Sequence, residues 1–190
     1  LHKRGYRQQA GDAPLKETLA AAMIAASGWD PHGEAPVPLY DPCCGSGTVV
    51  IEAAQMACRI APGLRRRFAF EKLLPYQVHV WSAIKNEATG AIQASPVGIF
   101  GSDVSHRMVD FAQRNAERAG VAQAVQLRGG DALQRMPPCE TPGVMLLNPP
   151  YGERIAAAGT AGQNATQRAS PRAQGAAQGR ETAHTDDGGE

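Results

Sequence analysis

The chain has 190 residues, 43% of them hydrophobic and 19% charged, with a formal net charge of +1. That length permits one domain with a real core, and the near-neutral balance excludes a protein that grips a polyanion over its whole surface. No apolar run reaches the roughly 20 residues that span a bilayer, and the basic start His2-Lys3-Arg4 lacks the apolar stretch of a signal peptide, so a cytoplasmic protein with no membrane partner is expected.

Leu15, Leu19, Met23 and Ala26 recur at helical spacing after Asp12 and Pro14, which predicts a helix closed by Gly28. Val37 to Tyr40 reads as a short strand ending at Asp41. Pro42-Cys43-Cys44-Gly45-Ser46-Gly47-Thr48 follows, then a helical pattern over 47–58. The two glycines let the backbone approach a ligand closely, and the start of a helix points free N–H groups at it. No Gly-Lys-Ser/Thr follows, so this is not a Walker loop. Val50 stands where the third glycine of the dinucleotide motif would fall, which disfavours an oxidoreductase. A carboxylate ahead of the glycine pair repels phosphate and suits a cofactor with a cationic amino-acid group. S-adenosyl-L-methionine has that chemistry.

Residues 59–75 look irregular and include Arg65-Arg66-Arg67, which joins His2-Lys3-Arg4 and Arg7 as the local basic clusters. Such clusters are more often plain solvated faces. Over Tyr76 to Ala88, the positions of Val78, Trp81 and Ile84 predict a helical face, with Gly90 as the stop and Trp81 packed in the core. Val97 to Asp103 reads as a strand ending in an acid. In nucleotide-binding α/β folds the acid at the end of the second strand accepts from ribose hydroxyls. A helix over His106 to Ala119 ends at Gly120. A third strand over 124–128 precedes Gly129-Gly130-Asp131, a carboxylate placed to meet an adenine amine. Either acid alone is more often a turn residue or a helix cap; their spacing after the glycine loop favours the ligand role.

Val144 to Leu147 reads as a buried strand that ends in Asn148-Pro149-Pro150-Tyr151. The two prolines fix φ and delete two N–H donors, so carbonyls there can face a ligand amine without competing donors. An amide, a carbonyl and an aromatic ring together suit an exocyclic base amine. Cysteines at 43, 44, 58 and 139 form no C-x-x-C pair, which indicates neither zinc nor a disulfide framework but reduced, buried thiols. From Ala156 to Glu190 the chain holds no Val, Leu, Ile, Met, Phe, Trp, Tyr or Cys, so a disordered low-complexity tail is expected.

Five segments together resemble one family over about residues 1–155. They are His2-Lys3-Arg4-Gly5-Tyr6-Arg7, Ala13 to Ala21, Asp41 to Thr48, Gly101-Ser102-Asp103, and Asn148-Pro149-Pro150-Tyr151-Gly152-Glu153-Arg154. The family is the class I S-adenosylmethionine-dependent RNA methylases, specifically the bacterial 23S ribosomal RNA guanine-N2 methyltransferases of the RlmL type. The resemblance implies an α/β, Rossmann-like class I methyltransferase fold with a doubly wound, mostly parallel sheet. The family's sheet has seven strands and this chain supplies four before Tyr151, so the sheet is expected to be incomplete at its C-terminal side. Residues 1–155 would form a partial domain and 156–190 the tail, as in a fragment of a longer product.

The same resemblance implies roles for single residues. Thr18, on a helix that closes over the methionine end of the cofactor, would bond its carboxylate. Asp41, Gly45 and Gly47 would line that end, Asp103 would hold the ribose, and Asp131 the adenine. Asn148, the Pro149 carbonyl and Tyr151 would hold the target base, and no metal is called for. The implied substrate is guanine N2 of 23S ribosomal RNA, with an RNA-binding THUMP domain upstream. The Asn-Pro-Pro-Tyr loop also serves adenine N6, cytosine N4 and protein glutamine amides, so these substrates stay open. So does a catalytically incomplete fragment that only binds cofactor or RNA.

Overall fold

The computed structural model describes residues 4–8 and 14–149. Its elements are α1 (Glu17–Ala26), β1 (Leu39–Asp41), α2 (Thr48–Ala57), α3 (Val78–Gly90), β2 (Ile99–Asp103), α4 (His106–Ala119), β3 (Gln126–Gly129) and β4 (Val144–Met145). Short 3-10 turns lie at Ala69–Lys72 and Ala132–Gln134. The expected tail over 156–190 lies outside the described residues.

The four strands form one parallel sheet in the order β3-β2-β1-β4, with Tyr40 paired to Phe100 and Met145, and Phe100 to Gln126. Parallel neighbours need crossover connections, and α2 and α4 supply them from β1 to β2 and from β2 to β3. Both crossovers step the same way along the sheet, so one handedness puts both helices on one face. Leu39 and Ile99 point to that face and pack with Val49, Val50, Ile51 and Ala116. Nine of the ten residues of α2 are buried, which makes it the central helix. Burying Val49, Val50 and Ile51 contributes roughly 1.5–3 kcal/mol each before chain entropy is counted. The opposite face carries Tyr40, Phe100, Ser102 and Arg128, where the chain over 135–138 lines a cavity.

A strap over residues 4–8 ties the helices through buried charge. Glu52, inside the apolar run of α2, takes Nη2 of Arg4 at 3.0 Å and the hydroxyl of Tyr6 at 3.0 Å. Glu17 takes Nη2 of Arg7 at 3.0 Å. Burial raises the carboxyl pKa of Glu52, and Arg4 opposes that shift.

The predicted α/β order is observed, and four local expectations are corrected. The buried positions of α1 are Glu17, Ala20 and Ile24, and Leu19 of the expected face is 51% exposed. The ion pair to Arg7 lets a charged residue turn inward where apolar spacing alone would have placed Leu19. No residue of α3 is buried, and Trp81 packs in a surface aromatic cluster with Phe68 and Phe70 instead of the main core. β4 is a two-residue edge strand, with Met145 61% exposed, because β1 is its single neighbour among the described residues. Among the thiols, Cys44 and Cys58 are buried, whereas Cys43 and Cys139 are half-buried.

Candidate functional site

The strand order reverses at β1: β2 and β3 lie to one side of it and β4 to the other. Such a switch point opens a crevice at the carboxyl ends of the two central strands, where ligands bind in open α/β sheets. The glycine loop leaves β1 at that edge, and Asn148-Pro149 leaves β4 at the same edge one strand away. Leu146 N–H still donates to the Tyr40 carbonyl at 3.0 Å, so the two chain ends stay in register until two residues before Asn148.

Asp41 closes β1 and is 2% exposed. Its Oδ1 accepts the Cys43 N–H at 3.0 Å. Burial pushes its pKa up to about 7; the Cys43 N–H opposes this and the nearby Asp103 adds to it. No cation pairs with Asp41 among the described residues. A ligand carrying an ammonium group would supply the missing charge.

Asp103 closes β2 and clamps the loop. Its Oδ2 accepts the Gly45 N–H at 2.9 Å and its Oδ1 the Ser105 N–H at 2.8 Å. A carboxylate has about four acceptor sites, so the remaining ones can still take ribose hydroxyls. Asn115, fully buried in α4, donates from Nδ2 to the Ser46 carbonyl at 2.9 Å and pins the middle of the loop. Cys44 N–H donates to the Ser102 carbonyl at 2.8 Å.

The two glycines have different reasons to be glycine. Gly45 has φ +52° and a side chain there would point into open space, which leaves the backbone bare toward the crevice. Gly47 has φ +87°, and a Cβ would stand 2.9 Å from that of Ala112, so its smallness serves the packing of α4. α2 begins directly after it with N–H groups that have no intrahelical partner.

Asp131 caps the 3-10 turn at Ala132–Gln134: Oδ1 accepts the Leu133 N–H at 3.0 Å and Oδ2 accepts Nε2 of Gln134 at 3.1 Å. Its charge still reaches the site. Burial raises the pKa of the Cys43 thiol, and Asp41, Asp103 and Asp131 all raise it further, so three of the expected acids surround one side chain. Thr18 is half-buried in the first turn of α1, whose helix packs on α2. Asn148 and Pro149 are exposed. Tyr151 lies outside the described residues.

Sequence reasoning missed Asn115 and Glu52. A single charged residue within the apolar run Val49 to Ala54 was the available signal for Glu52. Asn115, between Ala112, Ala116 and Ala119 on the small-residue face of α4, was the signal for a buried polar bond.

Strand order, glycine loop at the switch point and a proline-stiffened amide beside it define a Rossmann-like methyltransferase domain. Residues 4–184 match the family model described as RMKL-like, methyltransferase domain, and the chain belongs to that family. The match runs past residue 155, where the motif-level resemblance stops.

The chain is 49% identical over 160 residues to the Ribosomal RNA large subunit methyltransferase K/L of Shewanella pealeana, covering 82% of this chain and 22% of that one. It thus spans about a fifth of the length of the curated relatives it matches. Among solved structures it resembles SMU.472 in complex with SAH, with TM-score 0.72 and 39% identity over 81% of this chain and 39% of that one. It also resembles a predicted N6-adenine-specific DNA methylase from Listeria monocytogenes, with TM-score 0.72 and 37% identity over 88% of this chain and 42% of that one.

Proposed function

We propose that the chain carries out S-adenosylmethionine-dependent methyl transfer to an exocyclic amine of RNA, with guanine N2 in 23S ribosomal RNA as the target. The observation that carries this reading is the switch point itself. The glycine loop and Asn148-Pro149 leave adjacent parallel strands at one edge. The relatives named as large-subunit ribosomal RNA methyltransferases favour an RNA substrate, and the complex of SMU.472 with SAH favours this cofactor. Cytoplasmic location and an upstream RNA-binding domain belong to the same proposal. No helix among the described residues is long and apolar enough to cross a membrane.

The residues fit the cofactor. Asp41 offers a buried carboxylate to an ammonium, Gly45 leaves open space, and Asp103 and Asp131 keep acceptors for ribose and adenine. Thr18 would bond the carboxylate end. S-adenosylmethionine, when bound, would supply an electrophilic methyl group on sulfur.

The remaining work is orientation. The guanine amine would donate to the Asn148 side-chain oxygen and to the Pro149 carbonyl, which draws its lone pair out of the ring system, and Tyr151 would stack on the base. Holding nucleophile and methyl in line can be worth about 7–11 kcal/mol. A paired base cannot enter such a pocket, so the target is single-stranded or flipped out.

Transfer of tritiated methyl to a 23S ribosomal RNA fragment tests the proposal, with the labelled nucleoside identified after digestion. Asn148→Ala should lower the rate at least a hundredfold, and an undiminished rate would refute the assignment. Label on adenine N6 would favour the second reading, which the likeness to the Listeria protein supports.

A further inference from the structure

Positive charge is concentrated in one stretch: residues 59–92 hold six Arg and Lys against two Glu, in a chain of net charge +1. Arg65, Arg66 and Arg67 have no carboxylate partner among the described residues. Two of the three are nonetheless held in place. Arg65 donates from Nη1 to the Arg118 carbonyl. The guanidinium of Arg66 lies 5.0 Å from the centre of the Phe68 ring, which Trp81 in turn meets edge-on at 5.6 Å.

Arg65 and Arg66 line a cavity of about 130 Å³ together with Arg4, Arg118 and Gln55. Glu52 answers the charge of Arg4, so the positive charge of Arg65 and Arg66 is left over. Gln55 is 8% exposed and its Oε1 has no hydrogen-bond partner among the described residues. Guanidinium groups call for an anion and an unsatisfied amide oxygen calls for a donor. A ribose-phosphate chain brings both, as phosphate oxygens and a 2′-hydroxyl.

We infer that this cavity docks a backbone phosphate of the RNA strand whose base enters the crevice. The inference rests on the RNA reading above and adds where the strand is gripped. α2 runs from the glycine loop at Thr48 to the cavity, which Gln55 near its end and Ile60 just beyond it line. Its ten residues span ~15 Å at about 1.5 Å each. A nucleic-acid strand covers that in four or five nucleotides at about 3.4 Å each. Each ribose-phosphate unit carries the anion and a hydroxyl donor together, whereas an acidic side chain brings acceptors only and needs a separate backbone N–H to reach Gln55, which favours RNA over an acidic protein segment.

The test measures binding of a mixed-sequence single-stranded RNA oligonucleotide to the full chain by fluorescence anisotropy at several salt concentrations. Arg65→Ala with Arg66→Ala should weaken binding at least tenfold at low salt. It should also lower the slope of log affinity against log salt by roughly 0.7 for each phosphate that is no longer neutralised. Affinity for S-adenosylhomocysteine should stay unchanged. Arg67→Ala, outside the cavity, should change little. If the double alanine variant does not fold, Arg65→Gln with Arg66→Gln is judged by the same criteria.

Unchanged RNA affinity and slope in a variant that still binds S-adenosylhomocysteine would overturn the inference, as would an equal loss from Arg67→Ala. Wild-type binding of polyglutamate but not RNA would give the cavity to an acidic protein and overturn it too. Failure of the wild-type chain to bind S-adenosylhomocysteine or transfer methyl would count against the proposed function, whereas the arginine comparison is read on RNA affinity alone.

Discussion

The backbone N–H of Gly45 donates to Oδ2 of Asp103 at 2.9 Å, so the acid that ends β2 holds the loop that follows β1. The two strands are neighbours in register, Asp41 opposite Gly101, and this bond continues their pairing beyond the sheet. One side chain therefore shapes the glycine loop and still faces the crevice that a ligand would fill.

Asp103→Ala removes the acceptor for both Gly45 and Ser105. Hydrogen bonds to a charged group contribute about 1.5–3 kcal/mol each, so unfolding free energy should fall by about 2 kcal/mol or more. S-adenosylhomocysteine should bind at least tenfold more weakly by calorimetric titration. A variant that kept full affinity would show that the loop holds its shape without the clamp.

Gly45→Ala and Gly47→Ala should separate binding from stability. Both residues have positive φ, which costs an alanine roughly 1–2 kcal/mol. At Gly47 the added methyl also collides with Ala112, and overpacking adds about 1–3 kcal/mol. Gly47→Ala should therefore lower the melting temperature markedly more than Gly45→Ala. At Gly45 the methyl enters open space, so the main loss should appear in cofactor affinity. Equal loss of stability in both variants would contradict the packing role of Gly47.

Much of the local geometry around this candidate site was legible in the sequence because it depends on residues that carry their own conformational or chemical signature. Asp41 and Asp103 end β1 and β2, where apolar runs stop and charge begins, and Gly45 and Gly47 bring backbone freedom to the loop between β1 and α2. What could not be read were features set by tertiary neighbours. Leu19 has the spacing of a core residue, yet Glu17 turns inward because Arg7, ten residues earlier, neutralises it. Val144 to Leu147 has the apolar character of a buried strand, yet burial depends on what lies beyond β4, and β1 is its one strand neighbour among the described residues. Asp131 takes the helix-cap role that its residue type favours, while its charge also bears on Cys43.

Glu52→Ala should be the most destabilising single change at the contact between the strap and α2. It leaves the guanidinium of Arg4, with a side chain only 10% exposed, without its counter-charge, and the buried Tyr6 hydroxyl without its acceptor. Breaking one side of a buried pair typically costs about 3–5 kcal/mol. Chemical denaturation should show a loss of that size. Glu52→Gln, which keeps an acceptor, should lose less. A loss below about 1 kcal/mol for Glu52→Ala would mean that the strap over residues 4–8 adds little to folding.

Asp41 gives the chain a pH dependence opposite to that of an ordinary salt-bridged carboxylate. Its pKa is raised by burial from 3.8 to about 7, so between those values the folded chain keeps a proton that the unfolded chain gives up. Stability from this group is complete below about pH 4, declines as pH rises, and is lost above about pH 7. Three pKa units correspond to about 4 kcal/mol. Other carboxylates shape the overall curve, so the comparison is with Asp41→Asn, which is neutral at every pH and retains an acceptor for the Cys43 N–H. Asp41→Asn should be more stable than the parent at pH 8, with the gap narrowing as pH falls and closing only near pH 4. Ligand binding should run the other way. An ammonium group pairs only with the ionised carboxylate, so affinity for S-adenosylhomocysteine should rise almost tenfold per pH unit up to about pH 7 and then level off. In Asp41→Asn that rise should vanish. A parent chain whose affinity is flat from pH 5 to pH 8 would remove Asp41 from the methionine end of the site.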